Sequence, residues 1–431
     1  MSAKLRWIIE ANRENHKMGI FAVCSAHPLV LEAAFAEAKA GRSPLLIEAT
    51  SNQVDQFGGY TGMTPEVFRD FVLGLAEQHQ FPIEDLILGG DHLGPNRWQG
   101  EPAEQAMAKA EDLVRAYVAA GYQKIHLDCS MSCADDESPL SDTVVANRAA
   151  RLLAAAEDEA ARVGAEGTIS YVIGTEVPTP GGAKEDLTVL VPTTPEAARA
   201  TLNAHKQAFA ARGLEDRWPQ IAALVVQPAV EFDHLQVVDY ISENTKDLQQ
   251  VLADERNCAF EAHSTDYQTE ENLRKLVEDG WAILKVGPGL TFALREGLFA
   301  LSAIEGECIE DPTERADIGG AFDAIMIEDP RYWEAYYEGD DAQKRMARRY
   351  SYSDRIRYYL ADPRAVQSVE KLLENLRNPI PEPLISQFMP SQYSRVREGL
   401  LEPTGKELLL DHVRQVLRTY ASACGNLVPV Q

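Results

Sequence analysis

Asp91 and His92 stand side by side in LILGGDHLGPNRW (residues 86–98), directly after an apolar run and between glycines. A carboxylate beside an imidazole can transfer a proton and can bind a metal ion. Of the nine histidines, three follow apolar runs in this way: His27 in SAHP, His92 in GGDHLG and His263 in FEAHST. The carboxylates best placed to join them are Glu176 in IGTEVPTPGG, Glu231 in QPAVEFDH and Glu261 beside His263. Two imidazoles and a carboxylate that leave one position open suit a catalytic Zn²⁺ or a similar divalent ion. Such an ion polarises a carbonyl and holds an enediolate, with Asp91 placed for proton transfer. A buried histidine satisfied by backbone groups is the plain alternative for His92, and for His27 before Pro28 the two readings are even. His126 lies two residues before Asp128, so both face the same way, whereas His234 and His412 sit in helical patterns and read as surface or packing residues.

A second chemistry, anion binding, is suggested by KVGPGLTFALREGL. Gly287 and Gly289 let backbone N–H groups approach a ligand, and a helix starting near Thr291 turns its positive end toward it. The basic stretch RMARRYSYSDRIRYY (345–359) offers Arg348, Arg349, Arg355 or Arg357 to the same pocket, and Arg355 is assigned to the ligand. A solvated helix face is the alternative for that stretch. An ATP-binding loop is not found: GLLEPTGKELL (399–409) has five residues between its glycines, Glu407 in place of Ser or Thr, and no preceding strand.

These residues need a scaffold that brings distant segments together. Eight short apolar runs, at 19–27, 44–51, 85–93, 124–131, 169–177, 221–228, 258–265 and 282–290, alternate with helical patterns such as PLVLEAAFAEAKA. Near-continuous apolar strands alternating with helices imply parallel strands covered on their outer face. Eight in succession predict an α/β fold, a closed (β/α)₈ TIM barrel, over residues 1–300. The runs end near His27, Glu48, Asp91-His92, Asp128, Glu176, Gln227, His263 and Lys285. That is the face on which such barrels build their sites. Asp91, Glu176 and Asp128 are therefore the candidate catalytic groups. His27, Glu48, Gln227, Lys285, Gly287, Gly289 and Arg355 are the candidate substrate and phosphate contacts. Residues 301–431 read as a helical extension packed on the barrel, interrupted by the Pro-rich link NPIPEPLISQFMP (378–390).

Composition narrows the partners. The 431 residues are 45% hydrophobic with five Trp, enough for a sizeable core. A net charge of −26 argues against nucleic acid, whose phosphates need a basic face. Small phosphorylated ligands are not excluded, since a few Arg, Lys and backbone N–H groups suffice for them. No secretory segment or membrane-length apolar run is present. The six scattered cysteines look like reduced thiols, so a cytoplasmic protein is expected. Cys129 and Cys133 lack a second pair that would complete a zinc site.

These motifs resemble class II, metal-dependent aldolases. GGDHLG is similar to their third-strand Asp-His pair, IGTEVPTPGGAKED to their fifth-strand Glu and Gly-Gly segment, and FEAHST with KVGPGLTFALREGL to their seventh-strand ligand and eighth-strand phosphate segment. Over its whole length, SYSDRIRYY included, the chain resembles the Z-type subunit family of D-tagatose-1,6-bisphosphate aldolase, whose members also carry the name tagatose-6-phosphate kinase. The resemblance implies a phosphorylated ketohexose substrate, a divalent metal such as Zn²⁺, His92 and His263 as ligands, Asp91 as acid/base and Glu176 as an outer or alternative ligand. Members are described as accessories to a separate catalytic aldolase subunit, or as 4-epimerases of tagatose and fructose phosphates, and an oligomer is expected. The chain departs from the pattern in three places. VVQPAVEFD lacks the sixth-strand ligand His, so Gln227 or Glu231 would substitute. The acidic pair after Gly-Gly is Ala183-Lys184, with Glu185-Asp186 one step on. The glycine-rich loop after the seventh-strand His is Ser264-Thr265-Asp266-Tyr267.

Overall fold

All eight apolar runs form parallel strands of one closed barrel in the computed structural model, which describes residues 2–15, 18–175, 187 and 190–425. The strands are β1 (Ile20–Val23), β2 (Leu45–Thr50), β3 (Leu86–Leu93), β4 (Lys124–Leu127), β5 (Ser170–Ile173) and β6 (Ile221–Val225). A two-stranded antiparallel hairpin then intervenes, β7 (Glu231–Phe232) with β8 (Val237–Val238), before β9 (Ala259–Ala262) and β10 (Trp281–Val286) complete the barrel. β1 pairs with both β2 and β10, which closes the sheet. The (β/α)₈ TIM barrel with C-terminal helices is thus the observed architecture; the hairpin is an element that the sequence pattern did not signal.

Strand residues alternate between two cores. Outward side chains such as Phe21, Leu45, Leu88 and Ile125 pack under the helical ring. Inward ones at the N-terminal end, including Ile20, Leu46, Ile87, Val172, Ala259 and Ile283, form a separate cluster with Leu5, Ile8 and Ile9 of the helix Ala3–Asn15. That helix seals the lower end of the barrel. The ring helices start where their sequences cap them: Thr64 accepts from the Val67 N–H and Ser141 from the Val144 N–H. Among the described residues no helix is long and apolar enough to cross a membrane.

The helix Pro288–Cys308 crosses residue 300, so the chain passes from barrel to extension without a break there. The last helix, Gly405–Ala423, packs against the helices Pro28–Gly41, Glu270–Glu278 and Pro288–Cys308. Its Tyr420 ring lies 5.6 Å from Phe21, and the Tyr420 hydroxyl donates to the Thr265 carbonyl at 2.7 Å. The segment GLLEPTGKELL joins two helices, Pro390–Arg397 and Gly405–Ala423, with no strand before it.

Candidate active site

Two residues above the apolar inner layer, the barrel interior turns ionic. Glu48 follows Leu46 on β2, Glu261 follows Ala259 on β9, and Lys285 follows Ile283 on β10, each on the inward period of two. Lys124 bridges Glu48 at 2.6 Å and Glu261 at 2.8 Å with all three side chains fully buried. Lys285 pairs with Glu48, with Asp91 at 2.9 Å and with Glu261 at 3.6 Å. Burial alone would discharge these groups, but their mutual fields prevail. Against burial, Glu261 is held well below the usual carboxylate range by Lys124 and Lys285, and Lys285 well above its usual value by Asp91, Cys24 and Glu48. Gly89 makes room for this layer, since a Cβ there would lie 2.7 Å from Cγ of Glu48.

Above it sit three imidazoles. Ring centroids of His92 and His126 are 5.2 Å apart, those of His92 and His263 4.9 Å, and those of His126 and His263 5.3 Å. His92 Nδ1 is 2.7 Å from Asp128 Oδ2, and Ser130 donates to the other oxygen of that carboxylate at 2.6 Å. The pairing orients the imidazole and leaves its Nε2 facing Asp91 Oδ2 at 3.6 Å. Nδ1 of His126 contacts Asp91 at 2.9 Å, while its Nε2 is buried without a partner. Burial would raise Asp91, but His92 and Lys285 overcome it and keep the carboxyl well below its ordinary range. Burial lowers His263 to about 4, so its ring is neutral and fit to ligate. Backbone strain marks two of the segments that aim these side chains, the irregular end of β3 and the turn after β9: His92 has φ 51° and Ser264 φ 54°, in the left-handed region for residues with a side chain. Gly94 is obligatory at the end of β3, because a Cβ there would fall 1.6 Å from the Asp128 carbonyl oxygen.

The donor set suits a divalent ion. Asp91, His126, Glu261 and His263 each present a ligand atom, all within 4.8 Å of one another. Glu261 is already engaged by the two lysines, so Asp91, His126 and His263 are the donors of that group that remain, with His92 packed against them, and the orphaned His126 Nε2 is the clearest sign of an intended ligand.

Asp91, His92, His263, Lys285, His27 and Gly287 line one cavity of about 550 Å³ at this end of the barrel. Its outer wall comes from the extension, through Arg357, Tyr358, Leu360, Val366, Val369 and Leu373. The expected contacts are mostly engaged within the chain. Glu48 is in the ionic layer below. Gln227 accepts from the Val230 N–H at 2.9 Å and shapes the turn after β6. Glu231 sits in the hairpin, accepting from Ser264 at 3.1 Å, and burial pushes it up to about 7. Asp128 touches His92 rather than the cavity. Arg355 donates to the Tyr332 carbonyl and stacks 3.2 Å from the Tyr336 ring centre, so Arg357 takes the place at the cavity that was expected of Arg355. The N–H groups of Gly287 and Gly289, expected to face phosphate, both donate to Asp266 Oδ1, at 2.9 and 2.7 Å. His27 caps its helix, accepting from the Leu29 N–H at 3.3 Å, and burial lowers it to about 4. Glu176 lies outside the described residues.

Sequence reading missed His126, Lys124 and Asp266 as members of the site. The signal for the first two was present: Lys124 and His126 alternate along β4 toward Asp128 just beyond its end, so an inward Asp128 implies the other two. Asp266 carried no such mark.

Solved structures that resemble the chain include three that differ widely in identity. One from Sinorhizobium meliloti 1021, named a probable tagatose 6 phosphate kinase, is 47% identical, covers 94% of this chain and 100% of its own, and superposes with a TM-score of 0.87. The YdjI aldolase of Escherichia coli K12 is 13% identical over 84% of this chain and 96% of its own, with a TM-score of 0.43. The fructose-bisphosphate aldolase of Campylobacter jejuni is 14% identical over 87% and 93%, with a TM-score of 0.45. The sequence model of a family described as D-tagatose-1,6-bisphosphate aldolase subunit GatZ/KbaZ-like matches residues 5–425. With that match running almost end to end and a barrel whose ionic interior opens on three imidazoles, the chain belongs to the GatZ/KbaZ-like family.

Proposed function

We propose that this protein is a metal-dependent enzyme that cleaves the C3–C4 bond of a ketohexose phosphate by retro-aldol chemistry. The observation that carries this reading is the convergence of Asp91, His92, His263 and Lys285 on one cavity, with the buried His126 ring packed against both imidazoles. His92, His126 and His263 would hold the ion, with Asp91 beside them. A divalent ion of the Zn²⁺ type, when bound, polarises the C2 carbonyl and stabilises an enediolate.

The chain's own groups do the rest. Asp91, ionised in the resting site, accepts the C4 hydroxyl proton as C3–C4 breaks. Lys285, kept charged by its carboxylates, sets a positive field beside the developing negative oxygen. Glu231 is tuned near neutrality and contacts the cavity wall through the Ser264 hydroxyl, so it can supply the proton that C3 of the enediolate takes up when the fragments are released. Asp128 holds His92 in one tautomer and orientation.

Release of the fragments makes the enzyme an aldolase. Recombination after the aldehyde turns over makes a 4-epimerase of tagatose 6-phosphate, and the extension that walls the cavity favours retention of the fragments. The word subunit in the family description favours another reading, an accessory that supports a partner aldolase.

The test is to purify the chain alone, measure bound metal, and follow tagatose 6-phosphate and tagatose 1,6-bisphosphate by NMR with and without ATP. Bound divalent metal with fructose 6-phosphate formed without ATP selects the epimerase, and triose products select the aldolase. A chain without metal and inert until a partner is added overturns the enzymatic reading, and turnover only with ATP points to a kinase instead.

A further inference from the structure

The anion position at the head of the helix Pro288–Cys308 is filled from within the chain. The first N–H groups of a helix have no partner inside it and carry its positive end, which is why phosphates dock at such positions in barrels of this kind. Here Asp266 Oδ1 accepts from both Gly287 and Gly289, at 2.9 and 2.7 Å. The packing is close, since a Cβ on Gly289 would come within 3.0 Å of the same oxygen. Asp266 is only 3% exposed, yet it lines the cavity. It therefore occupies both the space and the donors that a phosphate would use, and it contributes a negative charge to that wall.

Among the described residues the cavity is lined by one lysine and one arginine. Lys285 is committed to Glu48, Asp91 and Glu261. Arg357 gives two N–H groups to the carbonyls of Ser353 and Asp354 and one to the Tyr358 hydroxyl, which leaves two of a guanidinium's five donors for a ligand. Among the described residues the cavity thus carries two anion-binding elements, the helix head and Arg357, and of these Arg357 is open.

We propose that Asp266 is a specificity determinant that restricts the substrate to ketoses with a single anionic terminus, bound at Arg357, and rejects bisphosphates. The inference rests on the ketose-phosphate reading above and sharpens it. A second phosphate would meet a buried like charge, or would have to expel it from two hydrogen bonds. Asp266 then faces a neutral, hydroxyl-bearing end of the sugar, which it can accept hydrogen bonds from through its other oxygen.

Calorimetric titration of the full-length, metal-loaded chain with tagatose 6-phosphate and with tagatose 1,6-bisphosphate tests this. The wild type is expected to bind the monophosphate about 100-fold more tightly. Asp266→Asn keeps the acceptor oxygen for both glycines but removes the charge, and it should narrow that ratio by about tenfold or more. Arg357→Gln should weaken both ligands. Equal wild-type affinity for the two overturns the inference, as does a ratio that Asp266→Asn leaves unchanged. Failure to bind either ligand overturns the ketose-phosphate reading and this inference with it. The wild-type ratio needs no variant, so the test survives a failure of Asp266→Asn to fold.

Discussion

The two ends of the barrel are built from the same eight strands and differ almost completely in chemistry. At the N-terminal end Leu46, Ile87 and Ile283 meet Leu5, Ile8 and Ile9 in a dry hydrocarbon plug. One inward step further along, Glu48, Lys124, Glu261 and Lys285 form a buried ionic layer, and one step beyond that stand Asp91, His126 and His263. The lower end only has to exclude water. The upper end must hold charge in place, and a charge is fixed only when its neighbours are charged too. The ionic layer is the transition between these tasks: it keeps Asp91 and Lys285 ionised from below while the cavity opens above them.

The sharpest way to separate the ends is to remove a charge without removing atoms. Asp91→Asn should lower turnover by about 10²–10⁴-fold, the usual contribution of a positioned acid/base group. Its effect should appear in kcat under saturating ketose phosphate, and a variant with unchanged kcat would remove Asp91 from the chemistry. Lys124→Met attacks the ionic layer itself. Glu48 and Glu261 would be left facing each other with only Lys285, and breaking a buried pair from one side costs about 3–5 kcal/mol. Urea unfolding measures that loss. Adding Glu261→Gln to Lys124→Met should recover part of it, because the uncompensated charge goes with it.

Protonation gives a third comparison. Burial holds Glu231 neutral up to about 7 in the folded chain, against an unfolded value near 4.5. A carboxyl raised on folding favours the protonated folded state, so its contribution is present below about pH 4.5 and is lost as pH rises through 7. Wild-type stability relative to Glu231→Gln should therefore fall by roughly 3 kcal/mol between those limits. Asp266, raised to about 6 by burial, acts in the same direction over a lower window, and taking the difference between the two proteins removes it. A difference independent of pH would mean that Glu231 is ionised in the folded chain. A smaller effect belongs to Asp128→Asn, which keeps the shape of the His92 partner but not its charge. Metal affinity should drop by about 10–100-fold, read by competition with a chelator.

What could be read in the sequence follows the same division. The strands were legible because a parallel barrel strand is buried on both faces and must be apolar in a run, and all eight runs are strands. Asp91, His92, His263 and Lys285 were legible because each ends such a run. Lys124 and His126 were legible only as inward positions, by their alternation with Asp128; inside a strand a polar residue reads as a weakened apolar signal rather than as chemistry. Their partners, Glu48, Glu261 and Asp91, come from other strands, and no local pattern reports a pairing across a barrel. Arg355 and Arg357 differ by two residues in one basic stretch. Which of them meets the cavity depends on how Tyr332, Tyr336 and Tyr358 stack around Arg355, and the basic stretch alone does not encode that stacking. The Gly287–Gly289 segment reads as an anion site, but its N–H groups are taken by Asp266, some twenty residues earlier in the chain.

The smallest effect belongs to the lower end and completes the contrast. Ile87 is inward on β3, four residues before Asp91, and 1% exposed within the cluster sealed by the N-terminal helix. Ile87→Val removes one buried methylene and should cost about 0.5–1.5 kcal/mol of stability. Because Gly89 and the ionic layer lie between this position and the imidazoles, kcat and metal affinity should stay at wild-type values. Were turnover to fall with so small a cavity, the hydrocarbon plug and the mouth would be mechanically coupled along β3, and the separation of tasks between the two ends would have to be given up.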